Sequence, residues 1–403
     1  MPGPLPTPAE AEARIRGSLQ PLPATRRPLD RLVGAVLAEA VLAERDQPPF
    51  DRVAMDGIAL ASAAWREGRR RYAVQGVQAA GRPPLSLGSS DNCIEVMTGA
   101  VLPAGCDAVV PVERLTLADG GAEVAADALV EPGLNVHARG SDGRAGDRLL
   151  EPGLRLGAPE AAIIASCGLA DVAVRADPRI ALISTGDELI EPGHAITDWQ
   201  VRRSNPAALR AALAARGQTE VVDDHLPDDP TTMRDRLAAH LADRDLLVLT
   251  GGVSMGRYDH VPSVLAALGV REVLHRVAQR PGKPIWFGLG AAGQAVFGLP
   301  GNPVSALVCL VRYVLPAIDT LLGATPAPID WLPLSVPYRV RPPLAMLLPV
   351  RVDAGPTRAT SVVPCPTRGS GDFVSLAGSD GFIELPAGPA DYPAGTLCPF
   401  RRW

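Results

Sequence analysis

IALISTGDEL, residues 180 to 189, decides the fold: an unbroken apolar run from Ile180 to Ile183 enters Thr185, Gly186, Asp187 and Glu188. A short apolar run without alternation is what a strand covered on both faces looks like. The same grammar recurs in DLLVLTGGVSMGRYDHV, 245 to 261, and in FGLPGNPVSAL, 297 to 307. Another run, Glu220 to Val222, lies between them, with helical patterns at Pro206 to Ala215, Thr231 to Ala242 and Val261 to Leu268. Strand and helix alternating at this spacing imply right-handed crossovers and a parallel sheet with helices on both faces, from Pro178 to about Gly323. Ligands of such sheets sit beyond the carboxyl ends of the strands, where these three motifs fall.

Outward from this region the texture changes. Residues 46 to 175 are short apolar pieces cut by turns such as LPAG, ADGG and EPG, which suits small β-rich structure. Upstream, Pro28 to Glu44 has apolar spacing that predicts a helix, and after Pro326 strand-like pieces split by Pro and Gly predict a β-barrel or sandwich. A net charge of -5 over 403 residues argues against a general nucleic-acid binder, which needs a basic face. The amino-terminal MPGPLPTPAEAEARIRG has prolines and acids where an export signal needs a basic start and an apolar run. The longest uncharged stretch, Pro284 to Val311, is interrupted by Gln294, Asn302, Pro300 and Pro303, which does not suit a membrane span. The six cysteines have no CxxC pair or histidine at metal spacing, and read as reduced and mostly structural.

Taken singly, each motif has a bland reading and a functional one. Gly186 just past a strand lets backbone approach a ligand, and Asp187 with Glu188 can hold a hard cation; the same residues suit a solvated acidic turn. Gly251, Gly252, Ser254 and Gly256 ahead of Asp259 form either an anion-binding loop or a tight turn with Asp259 as helix cap. Pro300, Asn302, Pro303 and Ser305 make a corner that is an anion cradle or a plain helix start. RPGKP, 280 to 284, holds Lys283, the single lysine of the chain, with Arg280 and Arg276 upstream. In a chain with arginine nearly everywhere, a retained lysine marks a position suited to a compact point charge and not a planar fork. Asp51 and Asp56 lie in PPFDRVAMDGIAL, 48 to 60, where Asp-Gly ordinarily signals a hairpin.

It is the ordered set that is specific. PPFDxxAMDG, MTGAxLPxGxDAVV, RGxDxxAGD, STGDEL, SNPAAL, DDP, TGGVSMGxxDxV, RPGKPxxFG and GLPGNPVSAL together resemble the molybdopterin molybdenumtransferases, the MoeA and gephyrin E-domain family, from about residue 30 to 323. The resemblance implies a multidomain α/β plus β protein with a central parallel-sheet domain. Its parts would be a discontinuous helical and β domain (1–45 and 140–176), a β-rich lobe with the MDG motif (46–139), the α/β molybdopterin-binding domain (177–324) and a C-terminal β-barrel-like domain (325–403).

It further implies a cytoplasmic homodimer that inserts molybdenum from molybdate into adenylylated molybdopterin and releases AMP with Mg2+ assisting. Its active cleft would lie between the α/β domain of one subunit and the MDG lobe of the other. A molybdopterin adenylyltransferase and apo-molybdoenzymes would be partners; nucleic acid and membrane would not. By family position Asp56, Lys283 and Arg280 would be catalytic, and Glu188, Asp228 and Asp259 would hold the metal. Thr98, Asp142, Thr185, Gly186, Gly251, Gly252, Ser254, Arg276, Pro300, Asn302, Pro303 and Ser305 would bind substrate.

The chain departs from the family pattern at Ser141 (usually an acid), at Arg52, Val53 and Ile58 in the MDG segment, and at Arg202 and Arg203, where Tyr-Asp is usual. Exchanging an acid for Arg203 predicts tighter anion binding or displacement of the metal. These departures define the alternative: an impaired paralogue that binds and carries molybdopterin or the finished cofactor.

Overall fold

A computed structural model of the chain describes residues 4–253, 260–355 and 358–403. The chain forms two compact units: Met1–Ala38, Pro152–Gly157 and Ala173–Trp403 make one, and Glu39–Glu151 with Ala158–Val172 the other.

In the smaller unit, a two-residue strand β1 (Arg52–Val53) precedes β2 (Gly57–Leu60), β3 (Arg71–Gln78), β4 (Asn92–Val96), β5 (Ala108–Pro111), β6 (Leu115–Ala118), β7 (Gly121–Val124) and β8 (Val136–His137). Six of them form one sheet in the order β5-β2-β4-β3-β7-β6, and β1 pairs antiparallel with β8. Ile58, Leu60 and Val110 are fully buried on one face, Ala59, Ile94 and Val109 on the other. Gly57 does not turn a hairpin, as Asp-Gly ordinarily would; it opens β2, and a Cβ there would lie 1.9 Å from the Val110 carbonyl oxygen. Glycine lets the chain after Asp56 pass this close to the neighbouring strand.

The larger unit opens with helix α1 (Pro8–Gly17), where Thr7 and Glu10 form a capping box ahead of Pro8. The helix expected over 28 to 44 is absent. Leu29–Arg31 is a single 3-10 turn, and Gly34, with φ +85°, breaks the chain before Val41–Leu42 pairs as a strand. Leu32, Val36 and Val41 are buried, but as separate pieces and not as one helical face.

The central sheet contains β9 (Ile180–Thr185), β10 (Val221–Leu226), β11 (Leu246–Thr250), β12 (Arg271–His275), β14 (Trp286–Leu289) and β15 (Ala295–Leu299), while β13 (Gln279–Arg280) belongs to another sheet. Its order is β10-β9-β11-β15-β14-β12; the first four strands are parallel and the last two join antiparallel. The sheet is therefore mixed and not wholly parallel. The short links 276–285 and 290–294 cannot hold the helical crossover that parallel neighbours require. Along β9, Ile180 and Leu182 pack toward α2 (Asn205–Ala214) and α5 (Pro303–Leu321), whereas Ala181 and Ile183 pack toward α3 (Pro230–Asp243) and α4 (Val261–Ala267). Burial on both faces is why this strand reads as an unbroken apolar run.

Helix α5 is long and apolar enough to cross a membrane, but 83% of it is buried inside the protein, where it is the central core helix. Its middle, Leu310–Val314, is wound as π-helix. Beyond it, β16 (Asp330–Pro333), β17 (Ala345–Gly355), β18 (Arg358–Pro364), β19 (Gly381–Leu385) and β20 (Leu397–Arg402) form a second sheet with β13, in the order β13-β17-β19-β20-β16, with β18 on β17. A single bridge, Leu334 to Val362, links the end of β16 to β18. All six cysteines are free thiols, five of them buried.

Candidate functional site

The loops after β9, β11 and β15 emerge at the same edge of the sheet and line a cleft of about 660 Å³. Thr185, Gly186, Glu188, Asp228, Gly251, Gly252, Pro300, Asn302 and Pro303 all face it. Among the described residues, two groups in its wall lack partners: Thr185 Oγ1 and Asn205 Oδ1 are buried without a hydrogen bond. Thr185 is only 5% exposed, and a polar group entering the cleft would satisfy its hydroxyl. Gly251, at φ +91°, closes over it; a Cβ there would lie 2.9 Å from both the carbonyl oxygen and the hydroxyl of Thr185. His225 Nε2 donates to the Gly186 carbonyl at 2.8 Å and ties the TGDEL turn to β10.

Acids gather on one side of this cleft. Asp228 donates its N–H to Asp187 Oδ1 at 3.1 Å, and burial, then the charges of Asp187 and Glu188, push the Asp228 carboxyl above its ordinary pKa. Such mutual repulsion is relieved by a hard divalent cation, so Glu188 and Asp228 fit one. Among the described residues no group of three or more His, Cys, Asp and Glu is placed to hold a metal ion. Ser254 and Asp259 lie outside the described residues.

The arginines at 202 and 203 are both held by hydrogen bonds within the α/β region, but only Arg203 is paired with acids. Arg203 is buried and donates to Ser184 Oγ, the carboxylates of Glu191 (2.8 Å) and Asp223, and the Asp224 carbonyl (2.8 Å). Arg202 donates to the carbonyls of Glu191 (3.1 Å) and His194 (2.7 Å). The charge added at 203 is thus met by Glu191 and Asp223, whereas Arg202 bonds only to backbone carbonyls and keeps its charge in the wall of the cleft.

A second cleft, about 540 Å³, adjoins the first at Pro284, Pro300 and Asn302. Arg280, Lys283 and Ser305 line it, together with Tyr338, Arg339, Arg341 and Ser370 from beyond the α/β region. Arg339 is paired with Asp391, whereas Arg280, Lys283 and Arg341 form no ion pair among the described residues. Three unpaired cations at one concave surface suit a small oxyanion. Arg276, at the end of β12 with φ +68°, lines neither cleft. The Val304 amide is not free for an anion, because it donates to the Ser370 carbonyl at 3.1 Å.

The lysine turn is supported from inside. Gln279 is wholly buried; the Tyr313 hydroxyl donates to its Oε1, and its Nε2 donates to the Pro281 carbonyl at 3.0 Å. Gly282, φ +88°, packs so closely on α5 that a Cβ would meet Cys309 Sγ at 2.4 Å. Neither Gln279 nor Tyr313 stood out in the sequence. The only signal was a polar residue beside RPGKP, and Tyr313 is more than twenty residues away in the chain. Asn205 was inside a quoted motif without being singled out, and Ser370 belongs to a tail that carried no motif.

In the smaller unit, Asp56 Oδ1 accepts from the Thr98 N–H at 2.6 Å and from its hydroxyl at 2.8 Å. The backbone bond foremost, then the hydroxyl, holds the Asp56 carboxyl below its ordinary pKa. Asp142 accepts from His137 Nε2 at 2.7 Å and from Ser141 Oγ at 3.2 Å, and the His137 bond is the main reason its pKa is lowered. Both are ionised, solvent-exposed carboxylates.

A mixed α/β sheet with a polar cleft at its strand ends, beside a cationic one, defines a class of protein that binds anionic, nucleotide-like ligands. Comparison with known proteins narrows it. The MoeA N-terminal region (domain I and II) matches residues 7–168, a probable molybdopterin binding domain matches 181–320, and the MoeA C-terminal region (domain IV) matches 332–403. A molybdopterin molybdenumtransferase of Synechocystis sp. is 42% identical over 380 residues, 94% of this chain and 95% of that protein. Another from Synechococcus elongatus is 33% identical, covering 93% and 94% respectively. The solved molybdopterin biosynthesis MoeA protein from Pyrococcus horikosii superposes over 99% of both chains with a TM-score of 0.79 and 27% identity. The chain belongs to the MoeA family of molybdopterin molybdenumtransferases.

Proposed function

We propose that the protein transfers molybdenum from molybdate into adenylylated molybdopterin and releases AMP, a step of molybdenum cofactor biosynthesis. The observation that carries this reading is the adjacency of the two clefts: one polar, with the Thr185 and Asn205 groups, the other lined by Arg280, Lys283 and Arg341, all of them without partners or ion pairs among the described residues. The first suits a pterin-nucleotide with many donors and acceptors; the second suits a small tetrahedral oxyanion. Nothing favours a carrier that binds without turnover, and the charge added at Arg203 is paired internally with Glu191 and Asp223.

In this reading Thr185, Asn205 and the Gly251 and Gly252 backbone orient the pterin-nucleotide, with Pro300, Asn302, Pro303 and Ser305 shaping the passage to the second cleft. Gly186, Thr98, Asp142 and Ser254 belong to the same proposed substrate site, whereas Arg276, which lines neither cleft, would act on the substrate only from outside them. Arg280 and Lys283 hold molybdate and the charge that develops as the pyrophosphate link breaks. Glu188, Asp228 and Asp259 would hold Mg2+, which when bound neutralises phosphate oxygens as a Lewis acid. Asp56, fixed by Thr98 and kept ionised, orients the reacting centre. The working molecule is proposed as a cytoplasmic homodimer in which the MDG lobe of one subunit serves the α/β clefts of the other, with the four-part division given above and a C-terminal barrel.

The test is AMP release from adenylylated molybdopterin by the purified protein, with and without molybdate and Mg2+. Release is expected only with both ions; release that ignores molybdate contradicts the reading.

A further inference from the structure

Two departures from the family motifs, Arg52 and Ser141, meet at one carboxylate. Strands β1 and β8 place Arg52 directly opposite His137. Arg52 Nη2 lies 2.8 Å from His137 Nδ1, and His137 Nε2 lies 2.7 Å from Asp142 Oδ1. Ser141 Oγ donates to the same Oδ1 at 3.2 Å, and the Asp142 N–H is taken by the Gln47 carbonyl at 2.8 Å. A guanidinium only donates, so Nδ1 must offer its lone pair and the ring proton must sit on Nε2. From there it is donated to the carboxylate. Oδ2 has no bond to any described residue.

We propose that Arg52 and His137 are positioning residues for Asp142: Arg52 fixes His137 as the neutral Nε2–H tautomer, which holds Oδ1 and presents Oδ2 to an N–H or O–H donor of the substrate. This rests on Asp142 taking part in the proposed reaction. The arrangement has little to do with folding, since the Asp142 and His137 side chains are 53% and 34% exposed and exposed pairs add little stability. The other cation close by, Arg139, does not compete for Asp142; its side chain is paired with Asp46 and its N–H with Asp51. The same short strand also anchors Asp56: the Val53 carbonyl accepts the Gly99 N–H at 2.9 Å, beside Thr98. One two-residue strand thus aligns both acids.

Nitrogen-15 NMR of His137 should show the Nε2–H tautomer in the wild type and a tautomer mixture in Arg52→Leu. In kinetics of AMP release, His137→Phe should lower kcat/KM about tenfold, the worth of one hydrogen bond to a charged acceptor. His137→Gln, whose amide offers an acceptor to Arg52 and a donor to Asp142 and cannot be protonated, should restore most of that loss. Thermal melts of all three variants should match the wild type. Wild-type turnover in Asp142→Asn would overturn the underlying reading of Asp142. A slow Asp142→Asn beside a fully active His137→Phe, a His137→Gln as slow as His137→Phe, or an Nδ1–H tautomer in the wild type would overturn this inference alone.

Discussion

The single lysine of the chain lies in the wall of the second cleft. Lys283 projects into the second cleft with no ion pair to a described residue, on a turn that Gln279, Tyr313 and Cys309 brace from the core. A braced point charge suits a tetrahedral oxyanion, and a planar fork of greater reach would displace it. Lys283→Arg should therefore lower kcat/KM for molybdate by about 10- to 100-fold, the scale set by misplacing a reacting group. The affinity for the pterin-nucleotide should be unchanged. Steady-state kinetics with each substrate varied in turn would show this, and equal losses for both would count against a molybdate-specific role. Asp56 carries the complementary lesson. Its motif was visible, but its partner Thr98 lies 42 residues along the chain, and the two are brought together by the pairing of β2 with β4 and by the Val53–Gly99 bond.

At the scale of elements, the amino-terminal helix is fixed by charge. Glu12 on α1 pairs with Arg312 on α5 and with Arg401 on β20, and Arg312 in turn pairs with Glu384 on β19. Burial raises the Glu12 pKa, but Arg312, Arg401 and Arg16 outweigh it and hold the carboxyl below its ordinary value of 4.5. The folded pKa is below the unfolded one, so the contribution is full above pH 4.5 and fades as pH falls through the lowered value. Glu12→Gln should cost about 3 kcal/mol near neutral pH, the scale for breaking a buried pair. That deficit should shrink in urea melts at about pH 3. A deficit independent of pH would mean that packing, and not charge, holds α1. This helix was legible from Thr7, Pro8 and Glu10. It was overlooked because its apolar content is slight, while the stronger spacing of Leu32, Val36 and Val41 belongs to pieces broken by Gly34.

At the scale of the whole molecule, the buried strands β9 and β11 and the helices between them were legible because both faces are covered and their sequence is uniform. The antiparallel β12 and β14 were not: Trp286 and Phe287 are buried, yet no crossover helix announces them, and RPGKP had been read only as a site. The first cleft was legible because its loops leave strands that are neighbours in the sheet and share one motif grammar. The second was not, since Tyr338, Arg341 and Ser370 come from a tail whose short strands carry no periodic signature. If the reaction uses the MDG lobe of one subunit and the clefts of another, the impaired Asp56→Asn and Lys283→Arg proteins should complement. Mixed dimers would contain one intact site, and activity should reappear on subunit exchange. Its absence in verified mixed dimers would place both residues in a single-chain site.

Molybdenum transfer and AMP release are coupled in the proposed reaction, and a single turnover tests this by setting the molybdenum gained by the pterin against the AMP released. Equimolar amounts, rising together with molybdate, are predicted. AMP released without molybdenum in the pterin, or molybdenum retained by the protein without AMP, would contradict it.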